Sequence, residues 1–324
     1  MRKGIMVAGS VLVDKINVIA AYPKAGELTQ IKAVKRAVGG LVPNVGIDLK
    51  KIAPDLAVYA CGRVGNDAEG DFVKAEFARY GLDTRGLVTD ESEKTSFTDV
   101  MSVAGGERTF FTYAGACARF GADDIDFDKI DAEMLHLGYF LLLDKIDGGD
   151  GVKILKKAVE KGVKTSIDLV SENSDRYRLV VPCLPYTDNL IINEIEGGSL
   201  VGIEPKRENI CKIAEALREK GVRERVIIHL PEFGACCSAD GYTEVASFAY
   251  PKGYIQGTTG AGDAFCAGAL YGIYNGYSDR EILEFASMAA AVSLRAPDAV
   301  SGMVDQSGIR ELCKGFQRRT DVLR

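Results

Sequence analysis

The stretch GTTGAGDAFCAGALYGIY, from Gly257 to Tyr274, joins a glycine-rich turn to an apolar segment. Glycine tolerates positive φ and lets the backbone approach a ligand closely. No charged residue occurs between Asp263 and Asp279, which predicts a helix buried on nearly all sides. The N–H groups and dipole of such a helix start attract anions, although the same pattern is typical of a simple helix cap.

Two common nucleotide-binding motifs do not match this turn. No Lys-Ser/Thr pair follows the glycines, so the turn is not a Walker A loop. It also differs from GxGxxG and lies late in the chain, whereas that motif follows the first strand. The spacing alone leaves an anion site and a helix cap equally open.

The composition sets limits on the class of protein. The 324 residues, 47% of them hydrophobic, suffice for one large α/β domain or two smaller ones. A net charge of −6 argues against a general binder of nucleic acid or of anionic membranes. The first residues resemble a strand more than a signal peptide, and no apolar run is long enough to span a membrane. Eight scattered cysteines without a CxxC pair predict reduced thiols in a cytoplasmic protein, and two histidines exclude a histidine-rich metal site.

The order of apolar and amphipathic segments predicts the architecture. Apolar strands separated by helices indicate an α/β fold with a mainly parallel sheet covered on both faces, in one domain over residues 1–324. Alternating stretches at about 15–38 and 95–114 interrupt this pattern and predict a small accessory sheet, with a turn at Gly105-Gly106. Another turn, Gly39-Gly40, precedes a helix that is predicted to begin near Asn44.

Polar residues follow several predicted strands. Asp14, Asp168, Asn193 and Glu196 all lie at or just after carboxyl ends. Because open α/β sheets bind ligands at that edge, we expect these residues to converge with the Gly260 turn. Carboxylates and an amide beside an anion-binding turn suit a Mg²⁺-nucleotide enzyme. Each residue alone is more typical of a loop or cap, so the prediction depends on their joint placement.

Four motifs, in order along the chain, resemble those of the PfkB (ribokinase-like) family of carbohydrate kinases. GTTGAGDAF resembles the family's signature DTxGAGD, and GGLVPN, followed by GRVGNDAEG, resembles GGxxxN. GSVLVD, Gly9 to Asp14, resembles the start of the substrate site, and NEIE, Asn193 to Glu196, resembles NxxE. The resemblance implies a ribokinase-like three-layer αβα fold with a mostly parallel central sheet. It also implies that the accessory strands form a lid, which in such kinases often makes a homodimer contact.

The resemblance further implies an enzyme that uses ATP and Mg²⁺ to phosphorylate a hydroxyl of a sugar. Asp263 would be the catalytic base, for which an ordinary carboxyl pKa of about 4 suffices if the hydroxyl loses its proton late. Arg108 in the lid could reach the phosphates or the substrate, or be a solvated strand residue. The other implied roles are an anion hole (Gly260, Ala261, Gly262), sugar binding (Asp14, Gly39, Gly40, Asn44) and nucleotide binding (Asn193, Glu196, His229, Gly234, Thr258), with Glu196 also serving Mg²⁺ through water.

Three positions depart from the family pattern. Gly257 stands where the signature has Asp, which makes a monovalent cation doubtful. HLPEFG, His229 to Gly234, replaces a TLG-type nucleotide loop, and Pro231 cannot donate an N–H, so His229 might replace a threonine contact. The bulky LVP within GGLVPN would reshape the sugar pocket.

Two alternatives to a sugar kinase stay open. A nucleoside kinase of the same fold would need an aromatic platform for the base, which Tyr22, Phe97, Phe110 and Phe111 of the lid offer. A catalytically silent sugar-binding regulator would follow if the nucleotide loop were degenerate. Retention of Asp263 and the glycine turn argues against the second alternative.

Overall fold

The computed structural model describes residues 3–103, 108–171 and 174–320. The predicted Gly105-Gly106 turn lies outside these residues. The strands are β1 (Ile5–Gly9), β2 (Leu12–Ile19), β3 (Ile31–Gly39), β4 (Val58–Gly65), β5 (Asp83–Asp90), β6 (Ser96–Val103), β7 (Arg108–Tyr113), β8 (Met134–Phe140), β9 (Lys164–Leu169), β10 (Asn189–Asn193), β11 (Arg225–His229), β12 (Phe233–Ser238), β13 (Gly241–Ala246), β14 (Phe248–Ala249) and β15 (Gln317–Arg318).

Nine of these strands form a central sheet in the order β13-β12-β11-β10-β9-β8-β1-β4-β5. The strands from β11 to β5 are parallel, and β12 and β13 continue the sheet as an antiparallel edge. The sheet is buried on both faces. In β1, for example, Ile5 and Val7 join one hydrophobic cluster, whereas Met6 and Ala8 join the other.

Helices cover both faces of this sheet. One cluster contains apolar residues of α1, α2, α6, α7 and α8, and the other contains those of α3, α4 and α5. The predicted three-layer α/β arrangement is therefore confirmed. The helices are α1 (Leu41–Ile52), α2 (Ala68–Tyr80), α3 (Gly151–Glu160), α4 (Glu194–Val201), α5 (Ile210–Glu219), α6 (Ala261–Tyr274), α7 (Asp279–Ser293) and α8 (Gln306–Cys313).

Two smaller sheets stand apart from the central one. The predicted accessory sheet has four strands in the order β3-β2-β6-β7, with β2 and β6 parallel. We call this four-stranded sheet the lid sheet. Strands β14 and β15 form a short antiparallel pair. Within the described residues no helix has the length and apolar character needed to cross a bilayer.

Two details of the predicted elements are wrong. Helix α1 begins at Leu41, not near Asn44, because Gly40 takes a left-handed conformation at φ 89° and starts the helix at once. Pro43 then lies in the first turn, where its missing N–H costs nothing. The apolar run MLHLGYFLLL, residues 134–143, predicts one continuous strand. The strand ends at Phe140, because Tyr139 and Leu141 have φ values of 58° and 79°.

Candidate active site

The glycine turn before α6 has the backbone that its sequence predicts. Gly260 is the residue before the helix, with φ 77°. A Cβ at this position would lie 2.5 Å from Cα of Ala299, so both conformation and space require glycine. The Ala261 N–H donates to the carbonyl of Thr258 over 3.2 Å. The N–H groups in the first turn of a helix lack intrahelical acceptors, which makes this turn suitable for an anion.

Asp263 lies in this first turn and is only 8% exposed. Its carboxylate accepts a hydrogen bond from Nδ2 of Asn44 over 2.9 Å. The hydroxyl of Tyr139 lies 3.0 Å from each of its two oxygens. Burial, and then the negative charge of Asp168, raise the pKa of Asp263 to about 7, against the effect of these two donors. The base role does not require a raised pKa, but burial raises that of Asp263 above the ordinary value of a carboxyl.

The GGLVPN turn directs Asn44 at Asp263. The backbone N–H of Asn44 donates to the carbonyl of Gly40, and Leu41 N–H donates to Oγ of Ser10 over 3.0 Å. In the described part of the chain, the buried Oδ1 of Asn44 has no hydrogen-bond partner. A buried acceptor of this kind is costly unless a ligand or water satisfies it, so Asn44 has one donor engaged and one acceptor available.

Asp14 lies against the same turn. It is in β2, at the end of the lid sheet nearest the core, and a Cβ at Gly39 would lie 2.3 Å from its Oδ2. Burial raises the pKa of Asp14 to about 6. The glycine therefore allows a partly buried carboxylate to approach the backbone that leads into α1.

A cavity of about 300 Å³ opens beside Asp263 and carries three carboxylates. Asp168 and Glu196 are the other two, and both are buried. Glu196 accepts hydrogen bonds from Ser171 Oγ over 2.9 Å and from Asn193 N over 3.0 Å. Burial raises the pKa of Glu196 to about 7. Glu196 and Asn193 thus cap helix α4 and also line the cavity. The two interpretations of these residues, as a helix cap and as part of the candidate site, are therefore compatible.

Carboxylate oxygens are the ligands that Mg²⁺ prefers, usually with several waters retained. The Glu196 and Asp168 side chains line a polar cavity large enough for such waters. These two residues therefore fit a magnesium ion held through water.

A second cavity, of about 510 Å³, shares a wall with the first. His229, Asn193 and Gly262 line both cavities. The second is largely apolar, and its lining includes Gly234, Thr258, Phe233, Phe265, Leu294 and Arg319.

His229 is half-buried between the two cavities. Burial lowers its pKa to about 4, so the imidazole is neutral at physiological pH. Its ring lies 5.0 Å from that of Phe265, and a Cβ at Gly262 would lie 3.5 Å from its Cε1.

The C-terminal residues complete the apolar cavity. Strand β15 pairs with β14, and the Arg319 N–H donates to the carbonyl of Ser247 over 2.9 Å. The ring of Phe316 lies 4.9 Å from that of Tyr254 and 5.9 Å from that of Tyr250.

A polar contact joins the lid sheet to the glycine turn. Nη1 of Arg108 donates to Oγ1 of Thr259 over 3.2 Å. Arg108 is an exposed strand residue, as one reading of the sequence has it, but its guanidinium also reaches the turn that precedes Asp263.

Gly257 has no room for the aspartate that the family signature carries there. A Cβ at this position would lie 2.9 Å from the carbonyl oxygen of Ala296 and 2.9 Å from Cα of Pro297. The chain at 296–297 thus occupies the space of that side chain, so an aspartate at 257 would require this segment to move.

Sequence reasoning did not assign a role to Tyr139. One continuous strand through MLHLGYFLLL does not include the turn at Tyr139, and this turn brings the Tyr139 side chain to Asp263. The available signal was Gly138, which stands in an apolar strand just before Tyr139.

Comparison with solved structures defines the class of fold. Ribokinase of Arabidopsis thaliana, solved with ribose and ATP, superimposes with a TM-score of 0.84 at 24% sequence identity. The match covers 97% of this chain and 99% of that one. Fructokinase of Xylella fastidiosa, solved with ATP, gives a TM-score of 0.79 at 21% identity. The fold is therefore ribokinase-like.

The family follows from the sequence itself. The chain belongs to the pfkB family of carbohydrate kinases, whose model matches residues 2–306. Ribokinase of Haemophilus influenzae is 26% identical over 307 residues, which cover 94% of this chain and 96% of the relative. Fructokinase-1 of Zea mays is 24% identical and covers 96% of this chain and 98% of its own. The protein is thus a carbohydrate kinase.

Proposed function

We propose that this protein transfers the γ-phosphoryl group of ATP to a hydroxyl of a sugar, with Asp263 as the catalytic base. The observation that carries the proposal is the buried Asp263 carboxylate, which lies in the first helical turn after Gly260 and opens onto a cavity. A base and an anion site are then adjacent, as transfer between a hydroxyl and a phosphate requires. The ribose and ATP bound to the Arabidopsis relative support the same pair of substrates.

In the proposed reaction the acceptor O–H gives its proton to the Asp263 carboxylate. The acceptor oxygen forms a bond to the γ-phosphorus, and the bond from that phosphorus to the β,γ-bridging oxygen breaks, releasing ADP. Negative charge on the transferring group would be stabilised by the backbone N–H groups of Gly260, Ala261 and Gly262. Of these, the Ala261 N–H would exchange its 3.2 Å bond to Thr258 for the phosphoryl oxygen.

The sugar would lie between Asp14 and Asp263. Asn44 would link the sugar to Asp263, because its amide N–H₂ already holds Asp263 and its free Oδ1 can accept from a sugar hydroxyl. Gly39 leaves space beside the Asp14 carboxylate, and Gly40 leaves space beside Ser10. Arg108 would close over the sugar from the lid sheet.

The nucleotide would occupy the larger cavity, with its base against apolar residues and its phosphates toward Gly262. His229, Gly234 and Thr258 line that cavity, and Asn193 stands at the shared wall. Neutral His229 offers a hydrogen bond without a charge. Mg²⁺, held through water by Glu196 and close to Asp168, would supply neutralisation of phosphate charge.

We also propose that the chain is a single domain in which the lid sheet moves over the substrate. The same sheet would form a homodimer contact. Its outer strands expose large apolar side chains: Ile31 is 48% exposed, Val34 69%, Phe110 61% and Phe111 59%. Exposed apolar residues on both edge strands of the lid sheet favour a protein–protein contact.

The test is a turnover panel. Purified protein with Mg-ATP is offered pentoses, hexoses, sugar acids and nucleosides, and ADP release is measured beside Asp263→Asn. We expect turnover with a sugar and a loss of roughly 10²–10⁴-fold in the variant, which is the usual contribution of a general base. An Asp263→Asn variant with full turnover and unchanged Tm would contradict the base role.

The same panel separates the alternatives. Turnover confined to nucleosides would establish the nucleoside kinase, with the lid aromatics as its platform. ATP binding without turnover on any acceptor in the panel would favour the silent regulator.

A further inference from the structure

Tyr139 adopts a backbone conformation that its residue type disfavours. Its φ of 58° lies in the left-handed region, where a Cβ is crowded, and non-glycine residues there cluster at functional sites. The turn begins at Gly138, immediately after the point where β8 stops pairing regularly with β9. It redirects the side chain that follows Gly138, so that the hydroxyl of Tyr139 meets Asp263.

Asp168 holds this turn in place. Its Oδ1 accepts the backbone N–H of Tyr139 over 2.7 Å. A Cβ at Gly138 would lie 2.2 Å from the same oxygen, so glycine there is what permits the approach. Oδ2 of Asp168 lies 3.4 Å from Nε2 of His136, whose Nδ1 is 3.1 Å from Oγ of Ser166. The left-handed residue is therefore fixed by a buried polar chain.

The hydroxyl of Tyr139 acts on Asp263 as a donor. It lies 3.0 Å from both carboxylate oxygens, and Nδ2 of Asn44 approaches Oδ2 from α1. Burial and the neighbouring Asp263 charge raise the pKa of Tyr139 well above its usual value, so the phenol keeps its proton. A phenol that donates to a buried carboxylate favours the ionised form of that carboxylate.

Among the other groups around Asp263, the Asn44 amide lowers the pKa of this carboxyl as Tyr139 does, whereas the neighbouring acid Asp168 raises it. The buried Asp48 of α1 interacts with Asp263 as a second acid. The cavity and helices facing Asp263 also present Glu196, the neutral His229, the buried Cys266 thiol with His136 beyond it, and Arg108 at Thr259.

We propose that Tyr139 is a positioning residue for phosphoryl transfer, whose hydroxyl holds the Asp263 carboxylate in one orientation as the acceptor hydroxyl arrives. The proposal deepens the role given to Asp263 and rests on it. The hydroxyl contacts both oxygens, so Tyr139 must release one of them when the acceptor binds, and the remaining bond keeps the other in place.

The first test compares two tyrosines that each lose only a hydroxyl. Tyr139→Phe keeps the ring, and Tyr271→Phe removes a hydroxyl that donates to Gln306 over 2.7 Å, farther along α6. The titration of Asp263 is followed by ¹³C NMR of its carboxyl carbon, which is identified by its loss in Asp263→Asn. We expect a midpoint near 7 in the wild type and in Tyr271→Phe. In Tyr139→Phe we expect the midpoint to rise by about one pH unit or more, since a hydrogen bond to a charged group is lost.

The second test is the pH profile of kcat. Loss of the donor raises the pKa of the base, so the acid limb of Tyr139→Phe moves to higher pH. We expect roughly a tenfold deficit well below the wild-type midpoint and a deficit of less than about threefold at pH 9, where Asp263 is ionised in both proteins. The limb of Tyr271→Phe should overlie that of the wild type.

These outcomes distinguish the role proposed for Tyr139 from the role proposed for Asp263. A carboxyl midpoint that is unchanged in Tyr139→Phe, or a loss of kcat that is equal at every pH, would overturn the role of Tyr139. Full turnover in Asp263→Asn would instead overturn the assignment of Asp263 as the base. The hydrogen bond from Tyr139 to Asp263 would then have no catalytic role, even if the NMR titration had confirmed it.

Discussion

The central sheet and the lid sheet contain similar apolar residues, but the central sheet buries them and the lid sheet exposes many of them. All five residues of β1 are buried, whereas all six residues of β7 are exposed. Phe77 of α2 is fully buried against the central sheet, and Phe110 of β7 is 61% exposed. Asp263, which we propose as the base, lies in the core together with the glycine turn and the carboxylate cavity. With that proposal, the comparison teaches that the core holds the reacting groups and that the lid sheet offers an exposed surface beside them.

Few polar links tie the lid sheet to the core near the site. Lys15 of β2 pairs with Glu69 of α2 over 2.9 Å, and both side chains are partly exposed. The guanidinium of Arg36 lies 3.9 Å from the ring centroid of Phe72. Surface pairs of this type contribute little to stability, typically about 0–1 kcal/mol. Breaking these pairs would therefore cost little, whereas Val13 of the lid sheet is fully buried in the core.

The largest effect should come from the core. Phe77→Ala removes a fully buried ring from the packing of α2, and we expect a loss of about 3–5 kcal/mol in the free energy of unfolding. Urea unfolding followed by circular dichroism measures it. A loss below about 1 kcal/mol would show that the core is less tightly packed than the comparison requires.

The next effect tests the junction of the two sheets. Asp14→Ala should raise the KM for the sugar by about 10- to 100-fold, the usual cost of losing a hydrogen bond to a charged group. The KM for ATP should stay within about twofold, because Asp14 lies on the acceptor side of Asp263. Steady-state kinetics with each substrate varied in turn give both values. Equal losses for both substrates would mean that Asp14 supports the fold.

A smaller effect is expected where the lid touches the glycine turn. Arg108→Ala and Thr259→Val each remove one side of a 3.2 Å hydrogen bond. Each should lower kcat/KM by about 2- to 10-fold, and the double variant should lose little more than either single one. Losses that multiply in the double variant would show that the two residues act independently and that this contact does not close the lid.

The smallest effect should come from the lid surface. Phe110→Ala should change the free energy of unfolding by no more than about 0.5 kcal/mol, because its ring is already exposed. Sedimentation velocity over a range of protein concentrations then reports on association. A dimer that weakens in Phe110→Ala, beside an unchanged monomer stability, would assign this face to the homodimer. A large loss of stability in the monomer would break the contrast with Phe77.

The architecture was predictable because burial leaves a regular pattern in the sequence. Buried parallel strands read as apolar runs, and the left-handed Gly81 ends α2 as its sequence indicates. The turn before Asp263 was predictable from its glycines, whereas the role of Asn44 was implied by the family resemblance alone. The start of α1 at Leu41 was not, since Pro43 fits either the first turn of a helix or the loop before one.

The supporting residues of the site were harder to predict. The approach of Tyr139 to Asp263 depends on a left-handed turn in a residue that ordinarily continues a strand. The pKa values of Asp263 and Glu196 depend on burial by elements far apart in sequence. Periodicity describes which face of an element is buried, but not which two polar groups meet there.

The pairing of β15 with β14 affects the order in which the protein can become competent during synthesis. The ribosome synthesises the chain from its N-terminus, so the lid sheet and the carboxylates of Asp14 and Asp263 emerge before Phe316 and Arg319. Arg319 lines the apolar cavity, and its N–H bonds to the carbonyl of Ser247. A ligand in this cavity can therefore contact Arg319 only after that residue has been synthesised, and the stability gained from that contact comes later than the folding of the core.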